Sequence, residues 1–244
     1  WLIFLGTAYN FLIRHTWERM RTAMMRANLK DHTIVCGYGA GGEFAVQELL
    51  RQGAKPEQIV VIDPLEDRVA AATDLGVSAI CGDATLNAVL KAAKIDTARS
   101  VLVSTSKDDA TALVVLSARQ LNANVAISAS VRARENEDLL HQAGATIVIN
   151  PVSFGGHLLA RSASEHEVVV YLRDLASAEG RVLLRERQAT LEDVGVALKE
   201  IGTGVGLRLL REGKMIGFWE ADANKIEAND TIVEIIQVNG ANTS

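Results

Sequence analysis

Residues 34–42, with the sequence IVCGYGAGG, decide the fold. A β-branched run leads straight into Gly37, Tyr38, Gly39, Ala40, Gly41 and Gly42, and helical sequence follows. Glycines in a GxGxxG pattern give a tight turn, close approach of backbone to phosphate, and close packing of helix on strand. The helix N-terminus adds free N–H groups and a partial positive charge. The stretch predicts a nucleotide site, and the alternative is a turn kept for structural reasons alone.

A carboxylate at the end of the next strand strengthens this prediction. Asp63 closes the apolar run 59–63, 21 residues after Gly42, where an acidic residue accepts the ribose hydroxyls of a dinucleotide. The same charge repels a 2′-phosphate, so NAD(H) or an adenine nucleotide such as ADP or ATP is favoured over NADP. Arg68 lies five residues further on and could compensate that charge, although we expect it at a solvated helix position.

Outward from this stretch, short apolar runs alternate with helical sequence. The predicted strands are 33–36, 59–63, 77–81, 100–104, 124–129 and 146–150, and the predicted helices are 43–52, 66–75, 86–94, 108–121 and 136–143. Apolar strands that alternate with helices indicate a doubly wound parallel sheet.

Polar residues follow several of these strands. Ligands of such sheets lie at the carboxyl ends of the strands, so the candidate contacts are Asp83, Ala84, Thr105, Ser106 and Arg132. A purely structural role is the alternative to ligand binding. Asp83 or Thr85 would then cap the next helix, Ser106 and Asp109 would form a capping box, and Arg132 would lie in a solvated loop.

Composition and residue spacing exclude several classes of function. The chain has 244 residues, 48% of them hydrophobic and 23% charged, as in a folded globular protein. A net charge of −5 argues against a nucleic-acid partner. We find no histidine spacing typical of a metal site and no catalytic triad, so we predict no metal site and no catalytic residue.

Cys36 and Cys81 are too far apart for a disulfide, and we expect both thiols to be buried.

The first 30 residues differ from the rest. Residues 1–13 read WLIFLGTAYNFLI, and five basic residues against one acidic residue give residues 1–30 a charge of +4. An apolar run followed by basic residues is typical of the cytoplasmic end of a membrane helix. Residues 1–30 are therefore predicted as the end of a transmembrane helix plus a linker. The alternative is a soluble amphipathic helix.

A smaller unit follows the sheet. The sequence predicts a helix over 152–164, strands over 168–172, 181–185 and 232–238, a helix over 191–201, and a hairpin over 206–220 that turns at Glu212-Gly213. We therefore predict an α/β, Rossmann-like doubly wound parallel sheet over 31–164, including a final helix. A small α+β C-terminal subdomain is predicted over 165–240.

This order of elements resembles the RCK family, regulators of potassium conductance, also called Trk-type potassium-uptake regulatory domains. The resemblance covers residues 32–238. It is carried by IVCGYGAGG (34–42), VVID (60–63), GDAT (82–85), VLVSTSKDDA (101–110), AGATIVINP (143–151) and FGGHLLARS (154–162). The GDAT segment is more specific than the glycine loop.

The resemblance implies regulation rather than catalysis. Family members form homodimers through the helix after the sixth strand, and the dimers assemble into an octameric ring on the cytoplasmic face of the membrane, beneath a potassium pore. The family's nucleotide contacts fall on Gly37 to Gly41, Asp63, Asp83, Thr105 and Ser106. The stretch 128–132 lacks the acidic residues of calcium-gated members, so an anionic ligand is favoured.

Three functions remain open. The predicted membrane segment favours the gating domain of a potassium channel with a covalently linked pore. The first alternative is a soluble regulatory subunit of a potassium uptake transporter. The second is an NAD-dependent oxidoreductase.

Overall fold

The structure is a computed structural model that describes residues 29–238. These residues form two compact units, which divide between His157 and Leu158. The predicted membrane segment and linker lie outside the described residues, apart from Leu29 and Lys30. Within the part of the chain that the structure describes, no helix combines the length and the apolar character needed to cross a bilayer.

The first unit contains a six-stranded parallel sheet in the order β3-β2-β1-β4-β5-β6. The strands are β1 (Thr33–Cys36), β2 (Ile59–Asp63), β3 (Ser78–Cys81), β4 (Ser100–Val103), β5 (Ala126–Ser130) and β6 (Ile147–Ile149). Strand β1 is central, because Thr33 pairs with Ile59 on one side and Ser100 on the other. Every residue of β1 and β2 is buried, which explains why these strands read as continuous apolar runs.

Helices cover both faces of this sheet. They are α1 (Ala40–Arg51), α2 (Glu66–Asp74), α3 (Asn87–Ala92), α4 (Asp108–Leu121) and α5 (Glu137–Gln142). A further helix, α6 (Pro151–Ser162), follows β6; none of its residues is buried, and the division between the two units falls within it. Two separate apolar clusters lie on the two faces, one around Ile34 and Val101 and the other around Val35 and Val61. The predicted doubly wound α/β fold is confirmed.

The two cysteines differ in exposure. Cys36 lies in the central strand, where burial raises the pKa of its thiol to about 12. Cys81 is exposed, so the prediction of two buried thiols was wrong for this residue. Cys81 is the last residue of β3, which is an edge strand, and the end of an edge strand has fewer neighbours to cover it.

The second unit contains a four-stranded antiparallel sheet in the order β7-β10-β8-β9. It comprises α7 (His166–Ala176), β7 (Val182–Gln188), β8 (Val205–Arg211), β9 (Lys214–Gly217) and β10 (Thr231–Gln237). The predicted hairpin turn is confirmed: Glu212 and Gly213 join β8 to β9 with φ values of 48° and 81°. This turn conformation matches the twist of paired strands. The predicted small α+β subdomain is confirmed.

Two elements predicted in this unit were wrong. Residues 168–172 lie within helix α7 instead of forming a strand. Their run of β-branched residues suggested a strand, but the half-buried positions Val169, Leu172 and Leu175 recur at helical spacing. A β-branched run is therefore a weaker signal here than the period of burial.

The predicted helix over 191–201 is a series of turns with a short 3₁₀ segment at Leu198–Glu200. Gly195 has a φ of 88°, which an α-helix does not accept, and its N–H donates to the Ile226 carbonyl at 2.8 Å. The Asp193 carboxylate accepts hydrogen bonds from the backbone N–H and the hydroxyl of Thr190. These contacts hold a turn in place of the helical hydrogen bonds.

Candidate functional site

A cleft of about 590 Å³ opens at the carboxyl ends of the parallel strands in the first unit. Ten of the twelve predicted contacts line it: Gly37, Gly39, Ala40, Gly41, Asp63, Asp83, Ala84, Thr105, Ser106 and Arg132. Tyr38 and Gly42 do not line it. The other lining residues were not among the twelve predicted contacts, namely Ile62, Pro64, Arg68, Thr85, Ser104, Ala110, Val114, Ser130, Pro151 and Val152.

Two glycines of the loop are required by the protein's own packing. Gly37 has a φ of 93°, and a Cβ there would lie 2.4 Å from the Ser104 carbonyl oxygen. A Cβ on Gly42 would lie 1.9 Å from the Gly37 carbonyl oxygen. Gly42 is buried, so it serves the packing of α1 against the loop, as the third glycine of the pattern does.

Gly39 is different, because nothing in the protein crowds it. Its φ of −79° and ψ of −169° are open to any residue, and a Cβ would meet only Arg68 Nη1, at 3.7 Å. Gly39 is the N-cap of α1 and lines the cleft. The first N–H groups of a helix have no partner within the helix and attract anions. A glycine at this position lets a phosphate approach those N–H groups.

Asp63 holds the glycine loop against the end of β2. One carboxylate oxygen accepts the Tyr38 N–H at 2.7 Å, and the other accepts the Leu65 N–H at 2.9 Å. Arg68 Nη1 lies 3.5 Å from the first of these oxygens. A carboxylate offers about four acceptor positions, so Asp63 retains lone pairs for a ribose hydroxyl. Tyr38 thus supports the site through its backbone rather than by lining the cleft.

The residues after β3 form a tight turn. Both the backbone N–H and the hydroxyl of Thr85 donate to Asp83 Oδ1, at 2.9 and 2.8 Å. Asp83 is exposed and Ala84 is buried. Asp83 therefore closes the turn before α3 and lines the cleft. The predicted capping of α3 by Asp83 or Thr85 was wrong, because the N-cap is Leu86 and no side chain caps the helix.

The capping box predicted for Ser106 and Asp109 was wrong. Helix α4 begins at Asp108 with Lys107 as its N-cap and no side-chain cap, and Asp109 accepts a hydrogen bond from the Ala110 N–H. The Thr105 hydroxyl donates to the Lys107 carbonyl at 2.8 Å and is hydrogen-bonded to Thr111 Oγ1. Thr105 and Ser106 both line the cleft; Thr105 is half-buried and Ser106 is exposed.

Asp108 does not line the cleft, but it positions a loop that does, and the sequence did not single it out. Its carboxylate accepts the backbone N–H groups of Arg132 and Ala133, at 3.0 Å each, and the Asn136 amide at 2.9 Å. Burial alone raises the pKa of Asp108, but these hydrogen bonds outweigh it and lower the pKa below its usual value. Asp108 thereby fixes the loop that carries Arg132. An acidic residue in the first turn of α4 was the available signal.

The charged groups of the cleft stand at its two ends. Arg68 and Asp63 lie at the end of β2, and Arg132 follows β5. Strands β2 and β5 are separated by β1 and β4, so three strand spacings of about 4.8 Å place these ends about 14 Å apart. The cleft thus contains the N-terminus of α1 and, at the end of β2, the Asp63 carboxylate. Among residues 29–238, no cluster of three His, Cys, Asp or Glu side chains is placed to hold a metal ion.

Comparisons with known proteins identify relatives of the chain. Residues 33–151 match the sequence model of the TrkA-N domain. The chain is 30% identical over 223 residues to potassium channel protein 1 of Methanocaldococcus jannaschii, covering 86% of this chain and 65% of that protein. The chain thus spans less than two thirds of this relative's length.

Solved structures share the fold. The gating ring of human SLO3 gives a TM-score of 0.62 at 13% identity, covering 86% of this chain and 44% of that one. The GsuK channel bound to NAD gives a TM-score of 0.50 at 20% identity, covering 85% of this chain and 36% of that one. Residues 33–151 are therefore a TrkA-N domain, in line with the predicted resemblance to Trk-type regulatory domains.

Proposed function

We propose that the chain is the ligand-sensing domain of a potassium channel, that it binds NAD(H) or an adenine nucleotide in the cleft of the first unit, and that occupancy is transmitted to a pore. The observation that carries the proposal is Gly39. Gly37 and Gly42 are explained by contacts within the protein, whereas Gly39 borders open cleft at the N-terminus of α1. A pyrophosphate over that N-terminus accounts for the glycine.

The rest of the cleft fits such a ligand. Asp63 would accept the hydroxyls of the adenine ribose, and the N–H groups that begin α1 would bind the pyrophosphate. Ser106, Ser130 and Arg132 would meet the second half of a dinucleotide or the terminal phosphate of ATP. The relative described as the GsuK channel bound to NAD has the same fold, which supports NAD as the first candidate.

A second copy of the chain is the proposed partner. Four apolar side chains at the edge strand β6 and the start of α6 are each at least 50% exposed, namely Ile147, Ile149, Val152 and Phe154. Such an exposed apolar patch is typical of an interface. Val152 also lines the cleft, so a ligand there would touch the surface that the partner covers. Dimers of this kind would build the octameric ring and place it on the cytoplasmic face of the membrane.

Coupling of ligand binding to the pore requires only that the ligand bind two arrangements of the dimer with different affinity. A ligand that binds one arrangement of the dimer more tightly shifts the population toward it. Moving an equilibrium from 1:99 to 99:1 takes about 5.5 kcal/mol, and several sites in a ring share that amount. Potassium flux through the intact protein in vesicles should change when the bound nucleotide is added.

The direct test compares two glycine variants in thermal unfolding with NAD⁺, NADH, ADP and ATP. Gly39→Ala should fold as the wild type does, because its Cβ meets only the end of Arg68. It should lose the nucleotide-dependent rise in Tm, since the methyl group takes the place of a phosphate oxygen. Gly202→Ala is the matched control, because Gly202 has no atom within 4 Å of its Cβ position and lies in the second unit.

The wild type and Gly202→Ala should gain about 2.7 kcal/mol at a nucleotide concentration of 100 times Kd. Mass spectrometry of nucleotide released from the purified protein identifies the ligand. The absence of any shift in the wild type, or an unchanged shift in Gly39→Ala, contradicts the proposal. Specific turnover of NADH with a carbonyl compound would favour the oxidoreductase instead.

A further inference from the structure

A second, smaller cleft adjoins the first one. Its volume is about 250 Å³, and it shares Gly39, Ala40 and Arg68 with the larger cleft. Tyr38, Glu43, Asp67 and Ala71 complete its lining. Arg68 is therefore the charged side chain that lines both clefts.

The position of Arg68 relates this second cleft to the nucleotide. Arg68 Nη1 lies 3.5 Å from the Asp63 carboxylate and 3.7 Å from the Cβ position of Gly39. If the cleft binds a nucleotide as proposed above, a ribose held by Asp63 presents its 2′-oxygen at Arg68. A phosphate on that oxygen would then extend toward the smaller cleft.

Asp63 alone does not decide whether that phosphate is accepted. It is only 1% exposed, both of its oxygens accept backbone N–H groups, and Arg68 stands beside it. Its negative charge is thus largely balanced within the protein. Moreover, an arginine near the ribose is the group that accommodates a 2′-phosphate in NADP-binding proteins. The pair Asp63 and Arg68 is compatible with either cofactor.

The remaining charges of the smaller cleft are negative. Glu43 and Asp67 are both exposed and both line it. Burial raises the pKa of the Tyr38 hydroxyl, and the nearby charge of Glu43 raises it further, which places the Glu43 carboxylate within electrostatic reach of the cleft wall. The lining of the smaller cleft therefore carries two carboxylates and one guanidinium, that of Arg68.

We propose that Glu43 and Asp67, rather than Asp63, make the site select a nucleotide with a free 2′-hydroxyl and reject one with a 2′-phosphate. Arg68 is the countercharge that would bind the 2′-phosphate once the two carboxylates are neutralised. Glu43 and Asp67 are specificity-determining residues that need not touch the preferred ligand.

The test measures affinities by titration calorimetry for two ligand pairs, NADH with NADPH and ADP with its 2′-phosphorylated form. The double variant Glu43→Gln/Asp67→Asn should bind the 2′-phosphorylated member about tenfold more tightly than the wild type does, because two repelling charges are gone. The affinity of the double variant for the unphosphorylated member should stay within about twofold of the wild-type affinity. Adding Arg68→Gln to the double variant should remove the gain.

The control Glu57→Gln/Glu66→Gln removes the same charge from exposed positions that line neither cleft. An unchanged preference in the cleft variant, or an equal change in this control, overturns the inference while leaving the proposed function intact. A wild type that binds NADPH as tightly as NADH overturns it as well. A wild type that binds none of the four ligands overturns the proposed function itself.

Discussion

The two units of the molecule place their charged residues in opposite ways. Around the cleft of the first unit, Asp83 and Arg132 are exposed and Arg68 has a single long contact to Asp63 among the described residues. In the second unit, Glu234 is fully buried, and Arg185, Arg187 and Thr203 all donate to it. Arg68 and Arg132 of the first unit are thus available to a ligand, whereas the charges around Glu234 in the second unit hold the fold.

The buried network of the second unit is closely connected. Arg187 makes a two-pronged contact with Asp193, at 2.6 and 2.8 Å, and donates to Glu234 at 3.0 Å. Hydrogen bonding to Asp193 raises the pKa of Arg187 above its usual range, and the same contact lowers the pKa of Asp193. Each charge depends on the others, because a buried ion that loses its partner is costly.

The largest expected effect comes from breaking that network. Glu234→Ala leaves two arginines without their shared partner and should lower the free energy of unfolding of the second unit by about 3–5 kcal/mol. Glu186→Ala, on the exposed side of β7, should change it by less than about 0.5 kcal/mol. Denaturant unfolding measures both. Equal effects of the two variants would mean that the network does not stabilise the unit.

A smaller effect on stability should distinguish Gly42 from Gly39 in the first unit. Gly42→Ala places a Cβ 1.9 Å from a backbone oxygen, so it should cost about 2–3 kcal/mol of stability. Gly39→Ala should cost less than about 0.5 kcal/mol. Thermal unfolding without ligand measures this difference. If Gly39→Ala is as damaging as Gly42→Ala, then Gly39 serves packing and its assignment to a ligand fails.

The smallest expected effect is a difference in acid sensitivity. His32 is buried and its Nε2 lies 2.8 Å from the Ala93 carbonyl oxygen. Burial lowers its pKa from 6.5, although Asp96 and Asp31 oppose the shift. Below about pH 6.5 the unfolded chain takes up a proton that the folded chain does not, so the first unit loses stability as the pH falls.

The second unit should keep its stability to a lower pH than the first unit does. The Arg187 contact lowers the pKa of Asp193, and hydrogen bonds that outweigh burial lower the pKa of Asp230 and Glu234. These groups contribute stability that is lost only as the pH falls through about 4. Hydrogen exchange between pH 7 and 4 measures each unit. His32→Gln should flatten the loss in the first unit, and His141→Gln, at an exposed site, should not. Earlier loss in the second unit would contradict this assignment.

The first unit was predictable because its strands are buried on both faces. The predicted bounds of β1, β2 and α4 coincide with those in the structure, since a fully buried strand reads as an unbroken apolar run. Ten of the predicted contacts line one cleft because the carboxyl ends of parallel strands meet at one edge. The glycine pattern located the site without any side-chain detail.

What the sequence missed depends on long-range contacts. Asp108 contacts residues 24 to 28 positions away, and a local sequence pattern does not predict such a contact. The placement of Arg68 on the cleft follows from how α2 packs beside Asp63. In the second unit, the turn at 191–201 is held by Arg187 and Ile226, so local helix propensity gave the wrong element.

The most direct test of the nucleotide site is a crystal structure of the chain grown with saturating NADH. The account predicts the pyrophosphate within hydrogen-bond distance of the N–H groups of residues 39–41 and the adenine ribose at Asp63. A cleft that stays empty at saturation, or a nucleotide bound elsewhere, would contradict it.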